Sequence, residues 1–406
     1  MTPTPPLRIF YMPWADLKNE VSVGPVKFMP FAAWLKTIVP DIVTRRFWER
    51  YARCHIGMDG RPTESHVMAL VDGAPFGALT QKQEVYIHRA ANALAFAHLA
   101  AGYGSRALSE NRRLGGMPIA HVDRFMLYSK SFCPSDRSAT ITTKSGMATW
   151  SLAELRWQRP SHAWSGLCVP PDLDLLAGLG RIVNAGPRHP FANQIWSAIE
   201  WVRTAFTGGD GFEETMRLVI MMTAFECLLA KESDAVAAAE GRKSNSGGDV
   251  KRAFKGFVDK HLIHIWLSTT RRDFGKKHGI LSIPTPADWF YEAFDLRGGI
   301  VHGEPLHRGR GAYQGHPHLL LAVLFMWHAI KARLVKAGIS EVHLSKQLRD
   351  LKTKLNDGIR WTTQDEREQE FSTTDLRQLY NALGWISPEW KRKLRHMKKH
   401  SRIMWL

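Results

Sequence analysis

The sequence predicts an α+β N-terminal domain (residues 1–185), an all-α helical bundle (190–337) and a basic helical C-terminal extension (340–406). Three observations carry this reading. Short strand-like runs, separated by Gly, Pro, Asp and Ser, fill the first half. The segment NAGPRHP at 184–190 is too rich in Gly and Pro to continue an element. Beyond it, apolar residues recur at helical spacing.

In the first half the strand-like runs are Arg8–Met12, Val21–Met29, Val67–Val71, Phe125–Tyr128 and Ala139–Thr143. One long Ala-rich helix is expected over about 82–101, with His, Arg and Glu on its polar side. Arg45, Arg46, Arg50 and Arg53 interleave with Phe47, Trp48 and Tyr51. That segment reads either as a basic-aromatic patch or as a plain amphipathic helix.

In the second half a helix over about 191–206 places Ile195, Ile199, Val202 and Phe206 on one stripe. The next, about 212–231, contains RLVIMMTAFECLLA and is apolar nearly all round, so it is expected to be the most buried. The stretch SDAVAAAEGRKSNSGG reads as a polar loop. A third helix, about 249–262, puts Val250, Phe254, Phe257, Val258 and His261 on one face. The fourth starts at Thr285-Pro286, an N-cap followed by proline at the first helical position, and Asp288 suits its dipole. Gly303 and Pro305 stop it. A fifth is expected over about 316–336. In the extension, Leu344, Leu348, Leu351 and Leu355 form a stripe, and Lys391–Arg402 carries seven Lys or Arg and no acid.

Composition bounds the function. An apolar fraction of 44% over 406 residues supports a sizeable core and excludes wholesale disorder. The formal charge of +17 favours a polyanionic partner, against the plainer reading of a basic surface that aids solubility. The 15 tryptophans read mainly as core. Cys54, Cys133, Cys168 and Cys227 form no CxxC pair, so neither a disulfide framework nor a cysteine zinc site is expected, and Cys227 reads as a small buried thiol. The start MTPTPPLRIF lacks the pattern of a signal peptide, and no apolar run reaches the ~18 residues of a spanning helix. A cytosolic protein with no membrane partner is the expectation. GLGRIVNAG at 178–186 misses the dinucleotide fingerprint, and neither a P-loop nor a nucleophile elbow is present, so no cofactor is expected. His307, His316 and His318 lack a metal-ligand spacing and read as exposed loop histidines.

The chemistry concentrates in Asp295-Leu-Arg-Gly-Gly-Ile-Val-His302-Gly303. Arg297 and His302 stand five positions apart, about 140° of rotation on a regular helix. They converge only if the helix distorts near its end or if two such helices meet. Gly298 and Gly299 between them cost about 1 kcal/mol each in a helix interior, a cost explained by close approach of another backbone. A two-fold dimer would gather two arginines and two histidines around one cleft. Such a set suits metal-free RNA cleavage: an imidazole moves the 2′-hydroxyl proton, and a guanidinium holds the phosphate and its developing charge. The structural alternative is an arginine paired with Asp295, Glu292 or another carboxylate, and a histidine favoured by the helix C-terminus.

The Arg-x4-His pattern on the penultimate helix of a small bundle resembles the HEPN superfamily. DLRGGIVHGEP, with AFECLLAKES upstream, looks most like the Apea-like HEPN group of bacterial anti-phage and toxin systems. The resemblance covers about 190–337. It implies a homodimeric, metal-independent endoribonuclease acting on RNA, in some members tRNA, with a phage-derived trigger as a further partner. It assigns Arg297 and His302 as catalytic and gives Glu226 a supporting role, orienting Arg297. Many active members carry a polar residue directly after the arginine, whereas this chain has Gly298. The alternative is a non-catalytic HEPN module that binds nucleic acid, a nucleotide or a partner protein.

Overall fold

A computed structural model describes residues 7–38, 42–56, 61–63, 66–73, 79–108, 125–133, 138–143, 146–151, 170–186, 189–207, 214–243, 246–257, 286–303, 312–313 and 316–339. The expected extension 340–406 lies outside them, as do Thr285, Val258, His261 and His307. The chain divides into two units, Met1–Leu99 with Met117–Phe212, and Ala100–Gly116 with Glu213–Leu406.

The first unit is built on an antiparallel sheet. Its elements are β1 (Leu7–Met12), β2 (Val21–Val23), β3 (Val26–Pro30), α1 (Phe31–Ile38), α2 (Ile42–Arg53), β4 (Val67–Val71), α3 (Gln81–Leu108, which runs on into the second unit), β5 (Tyr128–Cys133), β6 (Ser138–Thr143), β7 (Gly146–Ser151), α4 (Leu173–Gly180) and α5 (Pro190–Phe206). The strand order is β2-β3-β4-β1-β5-β6-β7. The run read as one strand from Val21 to Met29 is a hairpin: Val23 pairs with Val26, and Gly24 takes φ +59 at the turn. A side chain at Gly24 would come within 2.5 Å of the Gly180 carbonyl oxygen at the end of α4, so two glycines allow this contact. The strand expected at Phe125–Tyr128 begins instead at Tyr128, and Phe125 stacks on His98 of α3 at 4.4 Å.

In central strand β1, Ile9–Met12 are buried on both faces, which explains that continuous apolar run. Ile9 and Tyr11 join Trp34 and Leu35 of α1 and Trp48 and Tyr51 of α2 in one cluster. Phe10, pointing the other way, meets His88 of α3 edge-on at 5.8 Å. The sheet thus lies between α1/α2 and α3. Inside the first face, the Tyr11 and Tyr51 hydroxyls are hydrogen-bonded. The Tyr51 hydroxyl lies 3.4 Å from His55 Nε2, and the His55 and His66 rings meet at 5.3 Å around a small cavity. Burial pushes the His66 imidazole down to about 4, against backbone hydrogen bonds that favour its charged form. Burial also lifts both tyrosine hydroxyls well above the ordinary phenol range.

Helix α5 belongs to this unit. His189 caps it, accepting from the Ala192 amide at 3.2 Å, and Pro190 opens it. Its stripe Ile195, Ile199, Val202 and Phe206 is buried. Trp196 Nε1 donates to Ile182 O at 3.1 Å, while Arg89 of α3 donates to the carbonyls of Val183 and Ala185 and lies over the Trp196 ring.

The second unit is helical apart from one short ladder among its described residues. It comprises α6 (Glu214–Leu228), α7 (Ala230–Ala239), α8 (Gly247–Phe257), α9 (Pro286–Val301), β8 (Ala312–Tyr313), β9 (His316–Pro317) and α10 (His318–Lys336). Helix α6 packs against both α9 and α10. Phe225, Phe254, Trp289, Phe290 and Phe325 interlock at its centre, with Phe254 and Phe290 stacked at 3.9 Å. Three expectations change here. The first part of the stretch read as a polar loop, Ser233–Ala239, belongs to α7, because AVAAA is a strong helix former that outweighs its polar flanks. The connection shrinks to Glu240–Ser246, pinned by buried Asp249, which accepts from Arg242, Arg252 and Ser246. His318, expected on an exposed loop, is buried and its Nδ1 lies 3.2 Å from Trp289 Nε1, the donor. Cys227 is half-buried rather than buried.

Candidate functional site

Helix α9 carries the candidate residues because its two faces differ. Trp289, Phe290, Ala293, Phe294 and Leu296 turn into the core. Arg297 then falls at the margin, where a long stem stays packed while its head reaches the surface. Pro286 stands at the first helical position. At the far end the His302 amide still donates to Gly298 O at 3.0 Å, the Gly303 amide tightens onto Ile300 O at 3.1 Å, and Gly303 takes φ +75. A left-handed glycine there ends the helix, as its position in the sequence suggests.

Arg297 and Glu226, separated by 71 residues in sequence, meet across α9 and α6. Arg297 Nη2 lies 3.0 Å from Glu226 Oε2, with 26% and 29% of the two side chains exposed. The guanidinium carbon sits 5.3 Å from the centre of the Phe294 ring. Its Nε is buried and has no partner among the described residues. Burial pushes the Glu226 carboxyl above its ordinary value, and the Arg297 charge offsets part of that rise. Asp295, the nearer carboxylate in sequence, pairs instead with Lys251 of α8, whose ammonium also lies over Tyr291 and Phe294. Phe294, which both Arg297 and Lys251 approach, and Lys251 itself are not among the residues that the sequence singles out. Phe294 stands three positions before Arg297, a helical-neighbour signal. Lys251 carries no such signal.

His302 is exposed, and its ring has no partner among the described residues. Because helical bonding continues to its amide, the five-residue step from Arg297 keeps about 140° of rotation. One chain therefore joins Arg297 to Glu226 but does not bring His302 onto the same side. The close backbone approach expected at Gly298 is not made by any described residue: a side-chain carbon there would meet nothing within 4 Å. Next to this open edge, Val301 is 56% exposed.

The second candidate patch resolves as an amphipathic helix. In α2, Trp48 and Tyr51 are core, so they offer no exposed rings for stacking, while Arg46, Arg50 and Arg53 are exposed. The basic run Lys391–Arg402 lies outside the described residues. Among the described residues, no group of three or more His, Cys, Asp or Glu is placed to hold a metal ion. No helix among them is long and apolar enough to cross a membrane. Comparison with protein-family models, with curated proteins and with solved structures finds no match for this chain.

Proposed function

We propose that the chain is a cytosolic, metal-independent endoribonuclease of the HEPN type, working as a homodimer in a bacterial anti-phage or toxin system. The observation that carries the proposal is the pairing of Arg297 with Glu226 at 3.0 Å, beside a helix end that presents an exposed His302 whose ring has no partner among the described residues. Glu226 holds the guanidinium from one side and Phe294 supports it from another, so the cation is oriented before substrate arrives. Two copies are required because about 140° separates Arg297 from His302 on one helix. The open edge at Gly298 and exposed Val301 are where a second α9 would lie.

In this assembly one His302 imidazole takes the proton from an RNA 2′-hydroxyl. The 2′ oxygen attacks the adjacent phosphorus, Arg297 stabilises the charge gathering on the non-bridging oxygens, and the bond to the 5′ oxygen breaks. The second His302, protonated, supplies the proton that the leaving 5′ oxygen takes up. The products are a 2′,3′-cyclic phosphate and a 5′-hydroxyl. Purified protein incubated with total cellular RNA or tRNA in EDTA is expected to yield discrete fragments with those ends. Intact RNA at every protein concentration refutes the proposal.

Gly298, at the position where many active HEPN members carry a polar residue, favours a second reading. In it the site is a binding module for nucleic acid, a nucleotide or a partner protein. RNA binding without cleavage, unchanged by His302→Ala, is the result that selects it.

A further inference from the structure

Helix α2 is held in one rotational setting. Counting about 100° per residue, buried Trp48, Tyr51 and Ala52 centre on one side, and Arg46, Arg50 and Arg53 fall within about 60° of one another on the opposite side. The aromatic face cannot turn outward, so the arginine face cannot turn inward. All three arginines are exposed, and none has a side-chain partner among the described residues. The one acid on this helix, Glu49, lies on the flank and is engaged by Arg45 at 3.4 Å. Three like charges are thus left uncompensated along about 10 Å of helix, in a chain whose formal charge is +17.

We propose that this stripe is a binding surface for the phosphate backbone of single-stranded RNA, separate from the Arg297 site. It gives the N-terminal unit the task of anchoring substrate, and it rests on the nuclease reading only for the identity of the polyanion. Charge complementarity argues for the occupant: uncompensated guanidiniums at successive turns suit a chain of phosphates, and their contacts release bound counterions. A lipid surface fits less well, because the apolar face an interfacial helix would insert is already spent in the core. With Trp48 and Tyr51 buried, backbone charge rather than stacking on those rings dominates.

The test uses the full chain and a fluorescein-labelled single-stranded 2′-O-methyl oligoribonucleotide, which cannot be cut by 2′-hydroxyl attack. Affinity is read by anisotropy across a salt series. Each single-strand phosphate contact adds about 0.7 to the slope of log K against log salt, so Arg46→Ser/Arg50→Ser/Arg53→Ser should flatten it by about 2. Lys18→Ser/Lys36→Ser/Lys82→Ser, three exposed lysines of the same unit, makes the same charge change and should leave the slope nearly unaltered. The triple Arg→Lys variant should retain most of the slope. If the triple Ser variant unfolds, Arg50→Ser alone should lower the slope by about 0.7. An unchanged slope in the arginine variants, or an equal loss in the lysine control, overturns the proposal. So does a variant that keeps RNA binding but loses binding to phosphatidylserine vesicles. Because binding is scored without cleavage, an inactive Arg297 site leaves the outcome intact.

Discussion

Acidification should destabilise the first unit through His66. Its imidazole is 5% exposed, and burial pushes its pKa from 6.5 down to about 4. A histidine that is harder to protonate when folded stabilises the native state at pH above 6.5. As pH falls below 6.5, the unfolded chain takes up the proton first. Stability therefore drains away between about 6.5 and 4 and is fully lost below that. At about 1.4 kcal/mol per pH unit, the whole shift is worth roughly 3 kcal/mol, and about 2 kcal/mol is gone by pH 5. The perturbation is His66→Phe, which fits an aromatic ring beside Phe31 and removes the titration. Urea unfolding of wild type and variant at several pH values between 7.5 and 4.5, with direct titration of the His66 ring by NMR, gives the difference. Wild type should lose about 2 kcal/mol more than the variant between pH 7.5 and 5. Parallel pH dependence in the two proteins, or a ring that titrates near 6.5, refutes the reasoning.

Three other outcomes follow from packing and backbone geometry. Phe254→Ala removes a ring stacked on Phe290 at 3.9 Å and should cost about 3–5 kcal/mol in urea unfolding of the second unit; a loss under 1 kcal/mol contradicts the core described. Gly24→Ala forces an L residue into φ +59 and a side chain against the Gly180 oxygen, so it should lower stability by about 2 kcal/mol or more, and a neutral result means that the turn relaxes freely. Gly298→Ala meets none of the described residues, so helix propensity should stabilise the isolated chain by about 0.5–1 kcal/mol while the added methyl weakens self-association, read by urea unfolding and sedimentation. A less stable chain with unaltered association would mean that the glycine serves the fold of one chain.

What could be read in advance divides along physical lines. Local signals read well. Val67–Val71 is a short apolar run with turns at its flanks, α5 combines a stripe of period 3.6 with Pro190 at its start, and α9 is bracketed by Pro286 and Gly303. Elements whose signal is mixed read poorly. Polar β5 and β7 gain their place from neighbours in the sheet, and α7 hides an alanine run between charged flanks. Long-range chemistry cannot be read from spacing at all. Tyr11 and Tyr51 are 40 residues apart and Arg297 and Glu226 are 71 apart, so only folding brings either pair together. Motif and resemblance point to Arg297, His302 and Glu226. The contact of Arg297 with Glu226, and the approach of Lys251 to Asp295 and Phe294, arise only in the folded chain.

The most direct measurement is the single-turnover rate of RNA cleavage in EDTA by wild type, Arg297→Ala and His302→Ala, with the ends of the fragments identified. The account predicts 5′-hydroxyl and 2′,3′-cyclic phosphate ends from wild type, and a rate lower by about 10²–10⁴-fold in each variant while RNA affinity changes far less. Equal rates in all three proteins, or fragments bearing 5′-phosphates, would contradict it.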